Sequence, residues 1–163
     1  MQYSSGTIGR VFALLFEHED DVLAELKRLA EKEDISAGLC LFIGGMKKGR
    51  VVTGPKKPVI PPEPHSVAFK DGWDAIGCAT LFRHEDGSAQ VHVHSSLGKK
   101  GKALTGCLRG ESQVFGMMEA VLSIKAHYFD LRKTIKRIWI NSEAIQSIFI
   151  IIGGTKPYSL NIP

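Results

Sequence analysis

Ala89-Gln-Val-His-Val-His-Ser-Ser-Leu97, running on into Gly98-Lys-Lys-Gly-Lys-Ala-Leu-Thr-Gly-Cys-Leu-Arg109, is the stretch on which the fold turns. Apolar and polar residues alternate from Ala89 to Leu97, the period of a half-buried strand. The Gly/Lys cluster that follows is turn chemistry, and residues 103–109 return as another strand. Residues two apart on a strand share a face, so His92 and His94 present two imidazoles about 6.5–7 Å apart at their α-carbons, close enough to converge on one ion. A tight turn at Lys100-Gly101 pairs Lys99 with Lys102 and sets His94 opposite Cys107. Cys107 then joins the face of both histidines, a His2Cys set from one hairpin. Lys-Gly is not the favoured two-residue turn pair, so a longer loop with a shifted register stays open. A one-residue slip turns Cys107 to the other face, leaving a polar strand face and a cysteine packed in the core.

Working outward, Trp73–Arg83 carries Ile76, Cys78, Thr80 and Phe82 in alternation and reads as a strand, with His84–Ser88 as its turn. Glu111–Lys125 is apolar and strand-like despite the helix formers Met117-Met118-Glu119-Ala120. Residues 7–17 read as a buried strand, and 35–45 as another, closed by Gly44-Gly45. That glycine pair lacks the strand–loop–helix context of a phosphate cradle. Arg50–Gly54 forms a short strand. Between them, Asp20 to Lys32 repeats Val22, Leu23, Leu26, Leu29 and Ala30 at helical spacing, with acidic residues at its start and basic ones later. Residues 55–64 hold five prolines in ten positions and form an extended surface loop. Tyr128–Lys133 is irregular, and Ile135–Ile140 and Ile145–Ile152 are two late segments. The expectation is an α+β fold, a mostly antiparallel sheet or sandwich with one main amphipathic helix. It is one compact domain over 1–163, in which 126–163 completes the sheet.

The 163 residues suit a single domain, and 44% hydrophobic with 23% charged residues is ordinary globular composition. The longest apolar run, Ser147–Ile152, is strand-length, which argues against a membrane span, and Met1–Gly6 lacks the pattern of a signal peptide. Three widely separated cysteines, Cys40, Cys78 and Cys107, suit a reducing compartment and a cytoplasmic protein. A net charge of +4 permits nucleic-acid binding without indicating it, because the basic residues are dispersed among turns such as Lys99-Lys100-Gly101-Lys102.

The span Gly9–Lys125 resembles the plant- and prokaryote-conserved (PPC) domain, which also occurs in plant AT-hook proteins. Three features carry the likeness. Gly9-Arg10-Val11-Phe12 leads into an acidic turn and helix, followed by a strand ending Ile43-Gly44-Gly45. His92-Val-His94-Ser-Ser-Leu-Gly98, with Thr105-Gly106-Cys107-Leu108 beyond it, is similar to the prokaryotic pattern H-x-H-x-S-L…G-G-H. Met118-Glu119-Ala120-Val121 falls where that family has a glutamate in an apolar strand.

The resemblance implies a homotrimer in which His92 and His94 are metal ligands. Cys107 stands at the third histidine's position, and a cysteine thiolate also ligates zinc or another divalent transition metal. Three protein ligands leave a fourth position for water or a small ligand. Glu119 is the acid/base candidate there, and Arg109 the candidate to orient an anionic ligand. DNA binding is the competing function, with Lys99, Lys100 and Lys102 as the candidate contacts. The AT-hook core Arg-Gly-Arg-Pro is absent from the sequence, and Gly54-Pro-Lys-Lys-Pro58 lacks its central glycine. Weak, non-specific DNA binding is therefore expected at most. A trimeric interaction module with a structural metal is the third alternative. Whether the site is catalytic is not readable from the residues.

Overall fold

The structure is a computed structural model that describes residues 6–84, 86–125, 135–137 and 151–153. Strand β1 (Ile8–Phe16) leads through an acidic turn into helix α1 (Val22–Lys32). Then follow β2 (Ala37–Pro55), β3 (Pro64–Phe69), β4 (Trp73–Arg83), β5 (Ala89–Lys99) and β6 (Lys102–Lys125). Short strands β7 (Ile135–Arg137) and β8 (Ile151–Gly153) pair with each other as a separate ladder. Most of the extension 126–163, including the expected irregular stretch 128–133, lies outside the described residues.

The six main strands form one sheet in the order β1-β6-β5-β4-β2-β3, every ladder antiparallel. β6 also pairs with β2, so β2, β4, β5 and β6 close a ring of hydrogen-bonded neighbours. This corrects the α+β expectation. One helix of 11 residues is set against a sheet that makes up most of the domain, and the fold is mainly β.

Asp21 caps the helix through its carboxylate, which accepts a hydrogen bond from Ala24 N at 2.8 Å and another from Ser112 N at 2.7 Å. The cap therefore also ties the helix start to β6. Val22, Leu26 and Ala30, one turn apart, enter the core with Val93 and Leu97 of β5 and Val114 and Leu122 of β6. Each fully buried Leu or Val there stabilises the fold by roughly 1.5–3 kcal/mol.

Two strands are longer than their sequence suggests. The segments 35–45 and 50–54 are one strand, β2, and 103–109 and 111–125 are one strand, β6. Gly44-Gly45 does not end a strand. It lets β2 cross β6 at close range, since a Cβ on Gly45 would lie 2.2 Å from the Phe115 carbonyl oxygen. Past this crossing β2 exchanges β4 for β3 as its neighbour. β3 itself carries no expectation from the sequence reading.

The face opposite α1 is the second correction. β1 is a strand but is mostly exposed, and only Phe16 is buried. On β4 the core takes Ala75, Ala79 and Leu81, whereas Ile76 and Cys78 point outward. Leu15, Leu41, Ile43, Ile76 and Val121 lie on this outer face, each 50–61% exposed. It is an apolar sheet surface with nothing packed on it among the described residues.

Candidate metal centre

The hairpin of β5 and β6 turns at Lys100 (φ 48°) and Gly101 (φ 74°). Two successive positive φ values match a two-residue type I′ turn, whose twist suits the flanking strands. Lys100 accepts that backbone in spite of its Cβ. Lys99 is therefore opposite Lys102, and the register carries His94 opposite Cys107. The alternative of a longer loop does not occur.

His92, His94 and Cys107 come together on the outer face, their ligand atoms all within 4.8 Å of one another. His92 Nε2 lies 2.8 Å from Cys107 Sγ, and the two imidazoles meet edge to face with centroids 4.9 Å apart. Donors around a tetrahedral zinc stand about 3.3–3.8 Å apart, given Zn–N near 2.0–2.1 Å and Zn–S near 2.3 Å. The separations present, from 2.8 Å to at most 4.8 Å, bracket that range. Two imidazoles and a thiolate suit zinc and similar borderline-soft ions.

The electrostatics fit the same use. Burial, then the charges of Arg109 and His94, push His92 down to about 4, so it is neutral near pH 7, the form in which an imidazole ligates a metal. Burial raises the Cys107 thiol, while the Arg109 guanidinium beside it pulls the other way. A bound cation would supply the charge that a buried thiolate needs.

Cys107 is also fixed by its other neighbour. It pairs with Val52 of β2 across the seam that closes the ring. Gly106 permits that seam, because a Cβ there would fall 2.2 Å from the Val52 carbonyl oxygen. Arg109 lies on the same side of β6, two residues on. Its Nη1 donates to the Leu108 carbonyl oxygen at 2.8 Å, and its Nε and Nη2 are buried without a hydrogen-bond partner.

The other expected residues do not join this cluster. Glu119 is on the far half of β6, paired with Leu15 and Ile43 and exposed. At Glu119 β6 is paired with β1 and β2 rather than β5, and the ladder reaches β5 from there only through Ile43 of β2 and Ile76 of β4. Lys99 turns back to donate to the Asp71 carbonyl oxygen and lies 6.0 Å from the centre of the Trp73 ring. Lys100 and Lys102 are exposed at the hairpin end. Cys78 was not among the expected site residues, having been read only as part of the β4 alternation. It is exposed and directly opposite His94 on β4, beside the cluster. Cys40 faces the core, and burial pushes its thiol up to about 11. Among the described residues, no helix is long and apolar enough to cross a membrane.

A family model for the Plants and Prokaryotes Conserved (PCC) domain matches residues 3–124. A plant- and prokaryote-conserved protein from Pyrococcus horikoshii shares 22% identity, covers 86% of this chain and 92% of its own, and superposes with a TM-score of 0.67. A metal-containing protein from Archaeoglobus fulgidus is 17% identical, with 93% and 99% coverage and a TM-score of 0.69. A protein from Ralstonia eutropha described as a candidate for DNA binding is 15% identical, with 85% and 88% coverage and a TM-score of 0.60. At these identities the likeness extends to the fold alone. No curated protein matches the chain.

Proposed function

Because the chain belongs to the Plants and Prokaryotes Conserved (PCC) domain family, we propose that it is a metal-binding homotrimer using a His2Cys site to bind or process a small ligand. The observation that carries this reading is the convergence of His92, His94 and Cys107 within 4.8 Å on one outward sheet face. These three residues would hold zinc or another divalent transition metal, which supplies Lewis acidity when bound. Their number leaves a fourth position for a ligand. Neutral His92 offers its lone pair, Cys107 its thiolate, and Arg109 a fixed positive charge beside the site that favours an anionic ligand. The uncovered apolar face supports assembly, since such surfaces mark interaction sites. The reading keeps the protein cytoplasmic.

The Archaeoglobus protein of like fold, described as metal-containing, is consistent with the assignment. Elemental analysis by ICP mass spectrometry tests it. We expect about one zinc or similar ion per chain, lost when His92 and His94 are both changed to alanine. Equal metal in variant and parent would dismiss the site.

A DNA-associated role is the second reading, favoured by the description of the Ralstonia protein. Charge argues against it as the main function. Lys47, Lys48 and Lys56 are each paired with a glutamate, and Lys99 is turned onto the backbone, so these four are engaged within the chain rather than presented to phosphates.

A further inference from the structure

The outer sheet face holds two features that do not meet within one chain. One flank, on β5 and the first half of β6, carries His92, His94, Cys107 and the buried guanidinium of Arg109. The other flank, on β1 and the second half of β6, carries Glu119. Its cross-strand neighbours are Leu15 and Ile43, and Met117 and Val121 flank it along the strand on the same side. Among the described residues Glu119 makes no ion pair.

A lone carboxylate within an apolar surface is unfavourable once that surface is covered. Burying an ionised carboxylate without a partner costs several kcal/mol, which a cation opposite it offsets. The cationic flank of the same face supplies such a partner if two copies pack flank to flank. Cyclic trimers do this by symmetry, because their contacts are heterologous: one flank of each copy meets the opposite flank of the next.

We propose that the metal centre is completed between subunits, with Glu119 of the partner subunit supplying the fourth donor to an ion held by His92, His94 and Cys107. The inference rests on the metal-binding trimer proposed above and adds the residue that closes the site. An oxygen donor suits zinc beside nitrogen and sulfur, and a carboxylate at this position offsets charge on an apolar interface. Assembly and metal binding then support each other, since neither flank satisfies its charge alone. A monodentate carboxylate is also a donor that an incoming anionic ligand could displace, with Arg109 beside it.

Subunit complementation tests this directly. Cobalt(II) replaces zinc as a visible-absorbing probe whose bands report the donor set. The parent trimer should bind cobalt with one four-coordinate spectrum. Glu119→Gln should remain a trimer by light scattering yet give a changed spectrum and an affinity lower by roughly tenfold or more, as losses around metal sites typically do. Glu119→Asp, one methylene shorter, should fall between them and serves if the glutamine variant folds poorly. The double variant His92→Ala/His94→Ala should bind no cobalt. Refolding it together with Glu119→Gln should return the parent spectrum in part, because mixed trimers place an intact Glu119 beside an intact cluster. No recovery in verified mixed trimers, or an unchanged spectrum for Glu119→Gln in a cobalt-binding trimer, overturns this inference alone. A parent protein that binds no cobalt or zinc overturns the metal reading beneath it.

Discussion

Changing Gly106 to alanine tests how the site is held, because it leaves every candidate ligand in place. The new Cβ would sit 2.2 Å from the Val52 carbonyl oxygen and 2.8 Å from Val51 Cγ1, where ordinary contact begins near 3.4 Å. The obstacle is backbone, so rotamer changes cannot relieve it, and β2 and β6 must separate by about an ångström. That separation opens the seam where Val52 pairs with Cys107. Overpacking of this kind costs about 1–3 kcal/mol. For a chain of this size each kcal/mol lowers the melting temperature by roughly 2–4 °C, giving an expected fall of about 2–12 °C in metal-free protein. Metal affinity should fall as well, by roughly tenfold to a hundredfold, since displaced supports of a site have that effect. Gly98→Ala is the control, on the same hairpin but with nothing within 4 Å of the added methyl group, and it should change stability by less than about 0.5 kcal/mol. Calorimetry of the stripped protein and a competitive zinc titration give both numbers. If Gly106→Ala melts and binds metal as the Gly98→Ala control does, the seam does not position Cys107.

Three further outcomes are expected. Metal-free protein should lose stability as pH falls from about 6.5 towards 4: His92 titrates near 4 when folded against an ordinary 6.5, so the unfolded chain binds more protons in that window, and His92→Gln should flatten the curve in urea titrations. Leu41→Asp, a charge placed on the uncovered sheet face, should shift light scattering from trimer towards monomer while costing the isolated domain no more than about 0.5 kcal/mol of stability. Labelled AT-rich and GC-rich duplexes should bind weakly, and that binding should vanish between roughly 50 and 200 mM salt; tight discrimination at the higher salt would make DNA the primary function.

What the sequence by itself determined is local. The strand from Ala89, the turn at Lys100-Gly101 and the pairing of His94 with Cys107 depend on a two-residue period and one turn geometry. The amphipathic helix and the limits of β4 were legible for the same reason: neighbouring residues carry the whole signal. Only the tertiary structure decided the rest. Gly44-Gly45 reads as a strand end until β6 crosses it, and on β4 it is Ala75, Ala79 and Leu81, not Ile76, that face the core. Cys78 becomes a neighbour of His94, and Glu119 a stranger to it, through pairings between distant segments. Apolar alternation tells which residues share a face; which face is buried depends on what packs against it, and the partners lie tens of residues away in the chain.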